Sequence, residues 1–170
     1  MAFSTYLSAV SQKCLFAAQL LAMVNDKNSH QTVALVQSVA LQLYQAWQWH
    51  LRDIASTYKL ADPELVTNSE NLLALLEADG KCPAEAVEMQ ALVSDKNSWV
   101  SELHLAYAQL YQLPEIRKAE MDADRLPMIA VDSLSADGSH RVDWHSRVAE
   151  NWLEKMNELV DRHREMMVEF

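Results

Sequence analysis

Apolar residues recur along this chain at alternating steps of three and four, the spacing that lines one face of an α-helix. Near the start, Tyr6 or Leu7, Val10, Cys14, Ala17, Leu21 and Val24 form one such stripe. It predicts a first helix over about 3–24. The polar run NDKNS follows, with Ser29 placed as a helix cap. A second stripe runs through Val33, Val36, Ala40, Leu43, Trp47, His50, Ile54 and Tyr58. It predicts a helix over about 30–59, long enough to be the spine of a bundle. Asp62 and Pro63 have the chemistry of a helix start. A short helix is expected over SENLLALLEA, ended by Gly80, and another over PAEAVEMQALV, opened by Pro83. SWVSELHLAYAQLYQL supplies a fifth stripe through Trp99 or Val100, Leu103, Tyr107 and Leu110, and Pro114 ends it. The last helix, capped by Asp143, carries Val148, Trp152, Met156, Leu159, His163, Met166 and Phe170 on one face.

Between Pro114 and Arg141 the helical period is lost. This stretch is too long for an ordinary bundle turn. Its Met128, Ile129, Val131 and Leu134 suggest a crossover that packs across the bundle. The expected fold is therefore all-α: a single-domain bundle of five to six helices, spanning 1–170, with a long crossover at about 114–141 before the C-terminal helix.

Composition agrees with that pattern. Half of the 170 residues are hydrophobic, and only two are Gly. Such a chain suits helices better than a sheet with many tight turns. The net charge of −10 matters more for function. Duplex nucleic acid and anionic membranes repel such a surface unless its basic residues are segregated. Acids flank both short basic clusters, Arg117–Lys118 and Arg162–Arg164, so neither partner is expected. The apolar stretch CLFAAQLLAMV lacks a basic start and a cleavage site, and it is too short to span a bilayer. A cytoplasmic protein is expected. Cys14 and Cys82 have no metal spacing.

The tetrapeptide DKNS occurs twice, starting at 26 and at 95. QLYQ also recurs, at 42 and 109. The two repeats differ in offset by two residues, which turns a helix by about 200°. A duplicated unit would not survive that slip, because its buried face would turn outward. Asp, Asn and Ser favour caps and turns, so turn chemistry accounts for both copies.

Known catalytic patterns are missing. There is no Glu-x-x-His for a di-iron bundle, no HExxH, no GxSxG and no Gly-rich phosphate loop. One His on the second helix and two later, His50 with His140 and His145, resemble the DinB-like metal-dependent transferases. The pair in HRVDWH is five residues apart, about 140° around a helix, where that family has one turn. No metal, cofactor or catalytic residue is assigned. The best candidate pocket joins Trp47 and His50 with His163 and Arg164 (or Arg162), provided the second and last helices pack together. The plainer reading of both imidazoles is a core-edge histidine with a hydrogen-bond partner. Trp49 lies about 200° from Trp47 and needs separate cover. With Arg52 it forms the candidate interface, since Trp and Arg are typical interface anchors.

Several stretches together carry a family resemblance: SQKCLFA at 11–17, LYQAWQWHLRDIASTYKL at 43–60, SW at 98–99 and RHRE at 162–165. They resemble an uncharacterised gammaproteobacterial family of small helical proteins, a domain of unknown function. Gln12, Lys13, Phe16, Ala17, Leu43, Tyr44, Ala46, Ile54, Ala55 and Tyr58 match its pattern. The resemblance implies a cytoplasmic helical protein and carries no catalytic residue. The leading expectation is a non-enzymatic interaction module, binding a protein partner or itself as a homodimer. The rivals are a ligand-binding or enzymatic bundle with its pocket between helices 2 and 6, and, more remotely, the metal-dependent transferase.

Overall fold

The computed structural model describes residues 5–25, 29–113 and 142–167. The described residues form six α-helices and one 3-10 turn. These are α1 (Tyr6–Ala22), α2 (Ser29–Thr57), the 3-10 turn Pro63–Leu65, α3 (Ser69–Ala78), α4 (Ala84–Ser94), α5 (Trp99–Gln109) and α6 (Ser146–Met167). The fold is all-α, as the periodicity predicts. The expected crossover at about 114–141 lies outside the described residues, as does the first DKNS turn at 26–28.

α2 is the axis. It contacts every other described helix. No residue from Leu35 to Ala55 is exposed. Of its predicted stripe, Val36, Ala40, Leu43, Trp47, His50 and Ile54 are buried, while Val33 and Tyr58 at its ends are half-buried, and a second line through Val39, Ala46 and Leu51 is buried too. A helix apolar on two sides must be wrapped on both. α1, α5 and α6 pack along it, and the α3–α4 pair covers its C-terminal part with the 3-10 turn. α6 contributes Trp152, Met156 and Leu159 to the shared core. The indole N–H of Trp152 is satisfied by Glu102 of α5 at 2.9 Å.

Helix ends follow local chemistry. α1 starts at Tyr6, later than the predicted bound of about 3, because Thr5 caps it. The Thr5 hydroxyl accepts from Ser8 N–H, and the Ser8 hydroxyl accepts in return from Thr5 N–H. Ser29 is the first helical residue of α2 rather than its cap. Asp62 makes no capping bond, and Pro63 opens only a 3-10 turn. Asn68 caps α3 instead, accepting from Asn71 N–H at 2.7 Å. Asp143 does not cap α6, which begins three residues later. Its carboxylate faces His145 Nε2 at 3.2 Å. The second DKNS is a turn between helices. Asp95 ends α4, its side chain accepts from Asn97 N–H, and Ser98 caps α5 by accepting from Ser101 N–H at 3.0 Å.

Two helices end in the same left-handed cap, with different residues. After α3, Gly80 has φ +73°, and Lys81 N–H reaches Leu76 O at 2.8 Å. After α2, Lys59 has φ +57°, and Leu60 N–H reaches Ala55 O at 2.9 Å. Gly adopts that conformation freely, whereas a side chain there costs about 1 kcal/mol. Lys59→Gly should therefore raise the unfolding free energy by about 1 kcal/mol, and Gly80→Ala should lower it by about as much. Urea titrations of the two variants against the parent chain measure both.

Candidate functional site

His50 sits in the middle of the buried axis, and its environment follows from that. A neutral imidazole carries one donor and one acceptor, and a buried polar group needs partners. α6 brings His163 across from it. Nε2 of His50 and Nδ1 of His163 are 2.9 Å apart, and both side chains are completely buried. On the far side, His163 Nε2 lies 3.1 Å from Glu88 Oε2 of α4. The other oxygen of Glu88 takes a hydrogen bond from Arg162. Three helices are thus joined by one line of polar atoms, from His50 through His163 to Glu88 and Arg162.

The chemistry of each partner fixes the protons. Burial alone pushes Glu88 upward, but the bonds from His163 and Arg162 outweigh it and hold its carboxyl below the ordinary value. An ionised carboxylate only accepts, so Nε2 of His163 must carry a proton. Nδ1 of a neutral His163 is then an acceptor, and Nε2 of His50 is the donor. That leaves Nδ1 of His50 as a bare lone pair. It is buried and has no hydrogen-bond partner among the described residues. Burial pushes His50 down to about 3, helped by charge on His163 and by Arg164. His163 is also lowered, mainly by burial, although Glu88 and Glu85 oppose the shift. Both rings are neutral near pH 7.

The other candidate residues are placed as follows. Trp47 is fully buried and meets α5 edge-on, through Trp99 at 6.2 Å and His104 at 5.7 Å between ring centroids. Arg164 points away from Glu88. With Val10, Cys14, Leu15, Asn157 and Asp161 it lines a groove of about 270 Å³ between α1 and α6. Its Nε is buried and lacks a partner among the described residues. The sealed imidazoles are not part of that lining. Cys14 in the groove is a poor nucleophile, because burial and then Asp161 push its thiol up to about 11. Trp49 is half-buried. Tyr6 of α1 stacks on it at 6.0 Å and the Arg52 guanidinium covers it at 5.1 Å, so its cover comes from this chain. Arg52 also pairs with Glu64 at 3.4 Å. His145 is exposed, His140 lies outside the described residues, and no group of three or more potential metal ligands occurs among the described residues.

Sequence reasoning did not find Glu88. It lies on a short helix whose pattern gives no sign that it meets the end of α6. Only the fold brings Glu88 and Arg162 to His163.

This is a helical bundle on a central axis, crossed by a buried imidazole pair that leads to a partly exposed carboxylate. The chain belongs to a family of unknown function (DUF6586), whose pattern matches residues 6–170. No curated protein and no solved structure matches it.

Removing either imidazole leaves a cavity and an unpaired polar neighbour. His50→Ala and His163→Ala should each cost about 3 kcal/mol in urea unfolding. Because the two share one bond, the double variant should cost about 1 kcal/mol less than the sum.

Proposed function

We propose that this protein is a non-enzymatic interaction module of the bacterial cytoplasm that pairs with a second copy of itself through the outer face of α1. The observation that carries this reading is the chemistry of that face. Leu15, Phe16 and Met23 are 55%, 38% and 60% exposed. Phe16 and Met23 are seven residues apart and so share a line along the helix. Lys13 is the sole charged residue in α1, in a chain of net charge −10. Most faces of such a chain repel a second copy, and this one does not. A two-fold pairing would set each α1 against its partner without apposing carboxylates.

Two further points support an interaction role over catalysis. The two imidazoles of the strongest polar cluster are closed to solvent, whereas acid–base work needs a substrate within hydrogen-bond reach. The α1–α6 groove offers a neutral thiol and a guanidinium beside Asp161 at 3.8 Å, with no activated nucleophile. The unpaired thiols of Cys14 and Cys82 fit a reducing compartment. Ligand binding in that groove is the second reading, favoured by the unsatisfied Nε of Arg164.

Native mass spectrometry of the tag-free chain tests both readings at once. A bare dimer is expected, and Leu15→Glu with Phe16→Glu should return it to monomer while leaving the helical signal intact. A wild-type monomer that retains a small-molecule mass would sink the self-association reading and favour the groove.

A further inference from the structure

The end of α6 is held unlike the rest of the helix. Trp152, Met156, Leu159 and Val160 anchor its body in the apolar core. From Asp161 to Met167, His163 is the sole buried side chain. Its fixings are the bond to His50 and the bond to Glu88, with Arg162 alongside on the same carboxylate. Beyond the relay, only the half-buried Met167 packs on the core from these two turns, so they are held largely by polar contacts to a pair of neutral rings.

We propose that the His50–His163–Glu88 relay is an acid-operated latch: proton uptake by the two imidazoles releases Asp161–Met167 from α2 and α4 while the rest of the bundle stays folded.

The relay cannot take up a proton in place without loss. A proton added to His163 makes both of its nitrogens donors. His50 Nε2 must then accept, so the His50 proton moves to Nδ1. That nitrogen has no partner among the described residues, and the change buries an unsatisfied N–H. The new charge would also be buried. From α4 it faces Glu85 and Glu88, from α2 the other imidazole, and from α6 itself Arg162 and Arg164. Arg164 in turn faces Asp53 of α2, Cys14 of α1 and Asp161. These four acids outnumber the two guanidinium groups, so what opposes the added proton is its burial and the unsatisfied N–H of His50.

The direction follows from linkage. Both folded-state values lie below the ordinary value of 6.5, His50 at about 3. The latched form is fully favoured above about pH 6.5 and loses ground as pH falls below it, because the released rings bind protons and the latched rings do not. Release withdraws Asp161 and Arg164, one wall of the α1–α6 groove. The latch does not depend on self-association through α1.

Amide hydrogen exchange by NMR, between pH 7.5 and 5, tests the latch on the intact chain. After correction for intrinsic exchange, the opening constant of the 162–167 amides should rise as pH falls below about 6.5, at a slope of more than about ten-fold and at most about 100-fold per pH unit, ten-fold being the ceiling for each proton. The 152–156 amides of the same helix should not follow. His50→Phe, which keeps an aromatic ring and removes one titrating group, should reduce the rise to at most about ten-fold per unit. A flat response at 162–167 overturns the latch, as does a rise shared with 152–156. An undiminished slope in His50→Phe assigns the proton to another group, Asp53 included, and also overturns it. Ring-nitrogen spectra of the unaltered protein give a check that needs no variant. At pH 7.5 both rings should be neutral with the proton on Nε2, and a charged ring or an Nδ1 proton there contradicts the relay.

Discussion

The structure depends on one constraint: α2 is surrounded for about six turns, from Leu35 to Ala55. A helix in that position can carry apolar side chains freely, but any polar one must find its partner inside the protein. His50 is the only ionisable residue of that stretch that is fully buried. Its requirement propagates outward. Nε2 needs an acceptor, which makes His163 neutral and places it on the inner face of α6. His163 then needs an acceptor for its own N–H, and Glu88 supplies it from α4. Glu88, partly buried beside a neutral ring, is held ionised by Arg162. A single polar residue on the axis thus sets the neighbours of three helices, and the line of bonds ends at a solvent-exposed guanidinium.

Sealing also defines what the relay can do. A His–carboxylate pair open to a cleft is a general base, because water or substrate can reach the free nitrogen. Here the free nitrogen is Nδ1 of His50, and it is buried. No substrate reaches it in the closed bundle, and a proton reaches it only through local opening. The chemistry available at the centre of the bundle is therefore linkage between protonation and packing, while recognition is left to the surface. The chain is acidic as a whole, but the outer face of α1 carries no acid, and sets Leu15, Phe16 and Met23 among uncharged polar residues.

Much of this was legible before the fold was known, because burial imposes periodicity. The central positions of the stripes of α1, α2 and α6 could be read, and so could the placing of His50 and His163 on inward faces; α5 buries Ala106 where the period gave Tyr107, and Phe170 lies outside the described residues. Helix ends were harder. Ser29, Asp62 and Asp143 have capping side chains, yet Ser29 is already helical, Asp62 precedes only a 3-10 turn without a side-chain bond, and α6 starts three residues after Asp143, since a cap needs the right backbone as well as the right residue. Thr5 and Asn68 meet both conditions. The juxtaposition of α4 with the end of α6 could not be read, because nothing in the period of a short helix names its neighbour. For the same reason Trp49 looked uncovered: its cover, Tyr6, is 43 positions away and belongs to the α1–α2 packing.

Stability alone gives little reason for the relay. Replacing a buried polar pair by apolar side chains of similar volume is often neutral or stabilising. What the imidazoles add is register. Residues 162 and 164, on either side of His163, are both arginines. If α6 turned by one residue, about 100°, a guanidinium would face His50 in place of an imidazole. A buried cation against a buried neutral ring, with Glu88 out of reach, is far costlier than the native contact. An apolar residue at 163 would pack against α2 with less angular demand. The His50–His163 bond, flanked by two residues that cannot take its place, admits one rotation of α6. That rotation is also the one that sends Arg162 to Glu88 and Arg164 to the α1 groove.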